Sequence, residues 1–289
     1  MAVFVTRHTS TLRTAANDMF ERLATAGATL LELPVGTYRH VTTQPVSVTA
    51  EKTCPGQASD TVNMFGLTFN NMTAAQAVAA MLEESAGSKV KTASFINANA
   101  VNEGARHKGM REALATCNLK FASGVGLRLA AKMMGIALKE SLTPINLLPA
   151  LCREMASQNQ SVFLYSTKAG AAKAATETLK KRYPNLLIAG TCDGDTCHPN
   201  DVIDVINKAA TDIVLVAMES PQQEVWMARY AEALNCHSVL AVGDALDLIS
   251  GNITRAPVWM REFGMEWLYR LLREPKAKFQ RYVLGNPTF

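Results

Sequence analysis

The chain has 289 residues, 48% hydrophobic and 19% charged, the make-up of a globular protein with a full core and room for one large α/β domain plus extensions, or for two small domains. A net charge of +4 is too mild for a nucleic-acid binder. No apolar run approaches the ~20 residues that cross a bilayer, and the first residues lack a signal pattern, so a cytoplasmic protein is expected.

Residues 1–60 read as an N-terminal extension, with a short helix over Asn17–Ala26 followed by a stretch rich in Thr, Pro, Val and Gly. From Val62 the pattern turns regular. Val62–Leu67 predicts a strand, and Asn71–Ser85 a helix with Thr73 as its N-cap. Thr92–Asn97 predicts a buried strand, Ala100–Cys117 a helix, Leu119–Ala122 a short strand, and Ser123–Met134 a helix. Asn146–Gln158 predicts a helix, Ser161–Tyr165 a strand, Ala169–Arg182 a helix, and Leu186–Gly190 a strand. Asn200–Ala210, Asp212–Met218, Gln222–Ala233 and His237–Val242 continue the alternation as helix, strand, helix and strand.

Short apolar strands alternating with amphipathic helices predict an α/β fold: a mainly parallel, Rossmann-like sheet with helices on both faces. Residues 61–250 form this core, and 251–289 form a C-terminal basic, helical appendage. Ligands of such sheets sit outside the carboxyl ends of the strands, which singles out the loops there.

Ser166-Thr-Lys-Ala-Gly, between a strand and a helix, suits an anion, because helix-terminal N–H groups and Lys168 attract negative charge. It is neither a Walker motif nor a dinucleotide fingerprint, and local turn chemistry accounts for it equally well. Ser123-Gly-Val-Gly reads as a tight turn. Gln223 and Glu224 open a helix with groups that suit a sugar or nucleoside, although Glu224 there equally complements the helix dipole. Asp244 and Asp247 flank a strand end as ligand groups or caps. Six cysteines stand singly in unlike contexts; Cys192, Cys197 and His198 lack a matching second ligand pair, so ordinary thiols and no metal are expected.

The C-terminal segment carries Trp259, Met260, Phe263, Trp267, Leu268 and Leu271 at helical spacing, interleaved with Arg255, Arg261, Arg270, Arg273, Lys276, Lys278 and Arg281. Such a pattern suits a membrane interface, with rings at headgroup depth and cations near anionic lipid. Packing on the core is the alternative, and a mixed role is expected.

The order Arg255-Ala-Pro-x-Trp-Met, Gly264-Met-Glu-Trp-Leu-Tyr-Arg-Leu-Leu-Arg-Glu-Pro and Arg281-Tyr-x-x-Gly-Asn-Pro resembles the C-terminal signature of the WecG/TagA/CpsF glycosyltransferases, glycosyltransferase family 26. Ile96-Asn-Ala, Leu147-Leu-Pro-Ala-Leu, Val162-Phe-Leu, Arg182-Tyr-Pro, Pro221-x-Gln-Glu and Val242-Gly-x-Ala-x-Asp extend the resemblance over roughly residues 62–289. The resemblance implies inverting, metal-independent transfer of a hexose from a UDP-sugar to a saccharide on undecaprenyl pyrophosphate, in cell-surface polysaccharide synthesis. The xanthan-type exopolysaccharide branch, with a glucose-type donor, is at least as good a match as the teichoic-acid branch. It implies an enzyme on the inner face of the cytoplasmic membrane, in contact with anionic lipid, with no cofactor and no nucleic acid; a homo-oligomer is left open.

Asn97 and Ser123, at positions the resemblance marks, and Glu219, a carboxylate where the family has Gly, are the candidate catalytic residues. Thr167, Lys168, Gln223, Glu224, Asp247, Arg270 and Arg273 are candidates for holding UDP. Trp259, Arg261, Phe263, Trp267 and Arg281 are candidates for the membrane and acceptor. The chain departs from the family pattern at the residue expected to act as base: Ser123 stands where the family has Asp, and a serine hydroxyl does not accept a proton usefully near neutral pH without a partner. Asn146, Ser141, Glu219, Ser220 and Phe95 are further departures. Three accounts stay open: another carboxylate (Glu219, Asp193 or Asp195) is the base, with Glu219 preferred; leaving-group stabilisation by Lys168 and the C-terminal arginines dominates; or the chain is a weakly active or non-catalytic binding partner in a polysaccharide assembly complex.

Overall fold

A computed structural model describes residues 60–83, 89–194, 201–257, 260 and 265–273. The expected extension over 1–60 falls almost wholly outside these residues, and so do Trp259, Arg261, Phe263 and Arg281.

The described chain opens with a hairpin of β1 (Thr61–Met64) and β2 (Leu67–Asn70), where the sequence predicts one strand. Phe65 and Gly66 form the two-residue turn with φ of 54° and 74°. Two consecutive positive φ values match the right-handed twist of the flanking strands. Helix α1 (Ala74–Leu82) follows, with Thr73 as N-cap: its hydroxyl accepts the Gln76 N–H at 3.3 Å while the Gln76 side chain accepts the Thr73 N–H at 3.0 Å.

The sheet proper consists of β3 (Lys91–Ile96), β4 (Leu119–Ala122), β5 (Ser161–Ser166), β6 (Leu187–Cys192), β7 (Ile213–Ala217) and β8 (Ser238–Ala241), in the order β4-β3-β8-β7-β5-β6. All five pairings are parallel. Every residue of β7 and β8 is buried, as unbroken apolar runs in a two-sided parallel sheet require.

Between β3 and β4 lie α2 (Ala98–Arg106) and α3 (Lys108–Thr116), where the sequence predicts a single helix. His107 is extended, with φ −112° and ψ 117°. Arg111 supports the break by donating to the carbonyls of Gly104 at 3.0 Å and Ala105 at 2.9 Å, which are left open at the end of α2. The remaining helices are α4 (Gly124–Met133), α5 (Pro144–Ser157), α6 (Ala171–Arg182), α7 (Val202–Ala209), α8 (Gln222–Tyr230), α9 (Ala245–Ser250) and α10 (Glu266–Arg273).

Side-chain alternation assigns these helices to two faces. Ala93, Phe95, Leu164, Leu215 and Leu240 form one core with α1, α5, α6 and α9. Phe163, Val214, Val216 and Val239 form another with α7 and α8, and Ile96 and Ala122 pack with α2, α3, α4 and the hairpin. The α/β fold with helices on both faces of a mainly parallel sheet is therefore as expected. Among the described residues, no helix is long and apolar enough to cross a membrane.

Candidate active site

The topology points to a ligand crevice at the carboxyl ends of β3 and β8. These strands are neighbours, yet α2 leaves β3 toward one face and α9 leaves β8 toward the other. Chain ends that part in this way leave an opening at the sheet edge, the usual ligand site of the architecture.

On the β3 side stand Asn97 and Ser123. Asn97 caps α2, its side-chain oxygen accepting the Ala100 N–H at 3.0 Å. Ser123 follows β4, donates its backbone N–H to the Ile96 carbonyl at 2.8 Å, and is 6% exposed. Its hydroxyl makes no cap bond to α4. Gly124, at φ +83°, lies beside it: a Cβ there would stand 3.9 Å from the Cβ of Asn97, in ordinary contact. Two of the three predicted catalytic residues are thus neighbours. The third, Glu219, is exposed just after β7, two strands from β3.

On the β8 side an ionic network joins three remote segments. Lys168, after β5, donates to Asp247 of α9 at 2.7 Å, and Asp244 pairs with Arg270 of α10. Arg270 also reaches Glu266 at 3.1 Å. Partial burial lowers the affinity of Lys168 for its proton, but the bond to Asp247 and the charges of Asp247, Glu219 and Asp244 outweigh it and push its pKa up. Lys168 therefore stays charged. Arg273 donates to Tyr269 and to Thr254, both at 3.3 Å, with its guanidinium 5.7 Å from the Tyr269 ring centre. Arg255, from the family signature, pairs with Asn146. Trp267 is half-buried on α10.

The anion-binding reading of the Ser166–Gly170 loop meets an unexpected occupant. Asp193, 3% exposed at the end of β6, accepts the N–H groups of Ala172 at 2.7 Å and Lys173 at 3.2 Å, so the N-terminus of α6 already holds an anion from its own chain. Next to it, Gly194 packs against the Thr167 carbonyl so tightly that a Cβ would come within 2.1 Å of that oxygen. Thr167 itself is exposed. Asp193 is thereby engaged as a cap and is a poor base; Asp195 lies outside the described residues.

Gln223 and Glu224 point inward. Gln223 donates to Glu224 at 2.9 Å and accepts the Gly243 N–H at 2.9 Å, tying α8 to the loop after β8. Ser94 of β3 donates to the same Glu224 oxygen at 3.3 Å. Burial drives the Glu224 carboxyl pKa up, against the hydrogen bonds that lower it. These two residues brace the crevice from beneath. Cys117, Cys152 and Cys236 are free thiols, the last two pushed up to about 12 by burial, whereas Cys192 is disulfide-bonded rather than the thiol expected. Among the described residues, no group of three His, Cys, Asp or Glu side chains is placed to hold a metal ion.

What sequence reasoning missed is the engagement of these groups with one another. The Asp193 cap joins residues 20 and 21 positions apart, and the Asp244–Arg270 pair spans 26. The acid-rich strand ends were the only available signal.

The glycosyl transferase WecG/TagA/CpsF family pattern matches residues 62–289. Among curated proteins, an N-acetylglucosaminyldiphosphoundecaprenol N-acetyl-beta-D-mannosaminyltransferase of Bacillus spizizenii is 28% identical over 176 residues, 61% of this chain and 68% of that protein. The protein of the same name from Bacillus subtilis is 28% identical over 164 residues, 57% of this chain and 64% of its own. That from Staphylococcus aureus strain MW2 is 26% identical over 217 residues, 74% and 85% respectively. The aligned part thus spans about two thirds of the Bacillus proteins and more of the staphylococcal one. A match over 62–289 takes in the whole described sheet and the α10 segment, and the chain belongs to the WecG/TagA/CpsF family of glycosyltransferases.

Proposed function

We propose that the protein transfers a hexose or N-acetylhexosamine, with inversion and without a metal ion, from a UDP-sugar to a saccharide carried on a polyprenyl diphosphate. The acceptor class comes from the names of the relatives, which specify a diphosphoundecaprenol-linked sugar. The observation that carries the reading is the network Lys168–Asp247 and Asp244–Arg270, which brings the C-terminal segment onto the strand ends beside the crevice. Each of these cations faces a carboxylate, so a diphosphate there requires further positive charge. Arg273 carries one such charge, and the sequence beyond it holds Lys276, Lys278 and Arg281. The donor in this reading sits across β8 and β5, and the acceptor over Asn97 and Ser123. The product belongs to a cell-surface polysaccharide, assembled at the inner face of the cytoplasmic membrane.

Glu219 is the base in this account. Asp193 caps α6 and Asp244 and Asp247 pair with cations, while Glu219, exposed just after β7, adds its charge beside Lys168. Removal of a general base from such a reaction costs about 100-fold or more. Glu219→Gln is expected to lower kcat by that factor and leave UDP binding unchanged; unchanged turnover would remove Glu219 from the role.

A second reading follows from Ser123: with no carboxylate at the family's base position, the chain binds a UDP-sugar in an assembly complex without turning it over. UDP release over a panel of UDP-sugars, with and without a lipid-linked acceptor, separates the two. Acceptor-dependent release supports transfer, and UDP-sugar binding without any release supports the second reading.

A further inference from the structure

Helix α4 starts at the crevice and turns an apolar stripe outward. Val125, Leu129 and Met133, spaced four apart, lie on one face and are 37%, 58% and 80% exposed; Met134 adds a fourth apolar side chain, 42% exposed. The opposite face, with Leu127 and Ala131, is sealed in the core, so the orientation is fixed. Single exposed apolar residues are ordinary, but a continuous row marks a contact surface. Arg128 and Lys132 flank the row, both exposed and without an ion pair among the described residues, and α4 carries no acidic residue. They also line an open concavity of about 360 Å³ with Gly135, Ile136 and Leu138 beside the end of the helix.

We propose that this face of α4 rests on the lipid bilayer that carries the acceptor, with Val125, Leu129 and Met133 among the acyl chains and Arg128 and Lys132 at anionic headgroups. It is a second membrane contact, separate from the C-terminal segment, and it rests on the lipid-linked acceptor proposed above. Apolar side chains framed by cations that have no ion pair among the described residues match an anionic interface. A twofold pairing of the same face would bring Arg128 and Lys132 against their own copies, which disfavours a second copy as occupant. Val125 lies two residues from Ser123, so a bilayer on this face holds a lipid diphosphate at the mouth of the crevice.

The test compares the full chain with a Leu129→Ser/Met133→Ser variant and an Arg128→Gln/Lys132→Gln variant. Flotation on phosphatidylglycerol-containing vesicles and KM for a vesicle-embedded undecaprenyl acceptor are the readouts. The exposed positions leave the thermal midpoint unchanged. Binding falls about tenfold in the first variant and KM rises by a similar factor, while turnover of a short-prenyl, water-soluble acceptor stays at the parent level. The second variant loses its preference for anionic over phosphatidylcholine vesicles. Parental flotation and KM in the first variant would overturn the proposal, as would a change in oligomer size by light scattering with flotation unchanged. If the parent chain transfers to neither acceptor, the transferase reading fails, and flotation still decides the role of α4.

Discussion

Asp193 and Glu224 show how a carboxylate at a strand end or helix start is drawn into the hydrogen bonding of the fold. Asp193 accepts two amides of α6 from a buried position, so Asp193→Ala leaves both N–H groups without their acceptor. A loss of about 1–2 kcal/mol in unfolding free energy is expected from urea melts. Glu224 has the opposite electrostatics. Its folded pKa lies above the unfolded value of about 4.5 because burial penalises the charge. The folded state then holds a proton that the unfolded state releases, so the contribution to stability is full below the unfolded pKa and is lost as pH rises through the folded one. Glu224→Gln, neutral and of equal size, is expected to remove that decline, with a thermal midpoint at pH 8 no lower than that of the parent. A steeper decline in the variant would contradict the assignment.

At the level of elements, the strands of the sheet were legible because their residues are apolar on both faces, and β5, β7 and β8 fall where unbroken runs place them. The hairpin was not. Its turn is Phe65-Gly66 rather than Asn-Gly, so the apolar pattern runs through the turn and imitates one strand. The break at His107 was equally hidden, since no Gly or Pro stands at it and the stabilising side chain, Arg111, comes from the following helix. The strand ends were located from alternation, except that β6 runs on to Cys192, past the expected end at Gly190. Their internal pairing was not legible, because Lys168–Asp247 joins residues 79 apart and depends on strand order, which local pattern does not encode.

On the scale of the whole molecule, the described part of the C-terminal segment is part of the fold. Ala256, Met260 and Leu271 are buried, and Arg270 reaches Asp244 beside the crevice. Truncation after Ser250 therefore exposes apolar surface and removes a cation from the site. The truncated chain is expected to lose transferase activity and to melt at a lower temperature than the full chain, both readable by UDP release and calorimetry. Full activity in that truncation would contradict a role for the segment in catalysis.

In the proposed reaction a sugar moves from UDP to a lipid-linked saccharide at the β3–β8 crevice. Its most direct test is mass spectrometry of the lipid after incubating the full chain with a UDP-sugar panel, an N-acetylglucosaminyl diphosphate lipid and EDTA. With one donor, a product heavier by one hexose or N-acetylhexosamine residue is expected, formed despite the chelator. An unaltered lipid across the panel, under conditions where UDP-sugar binds, would contradict it.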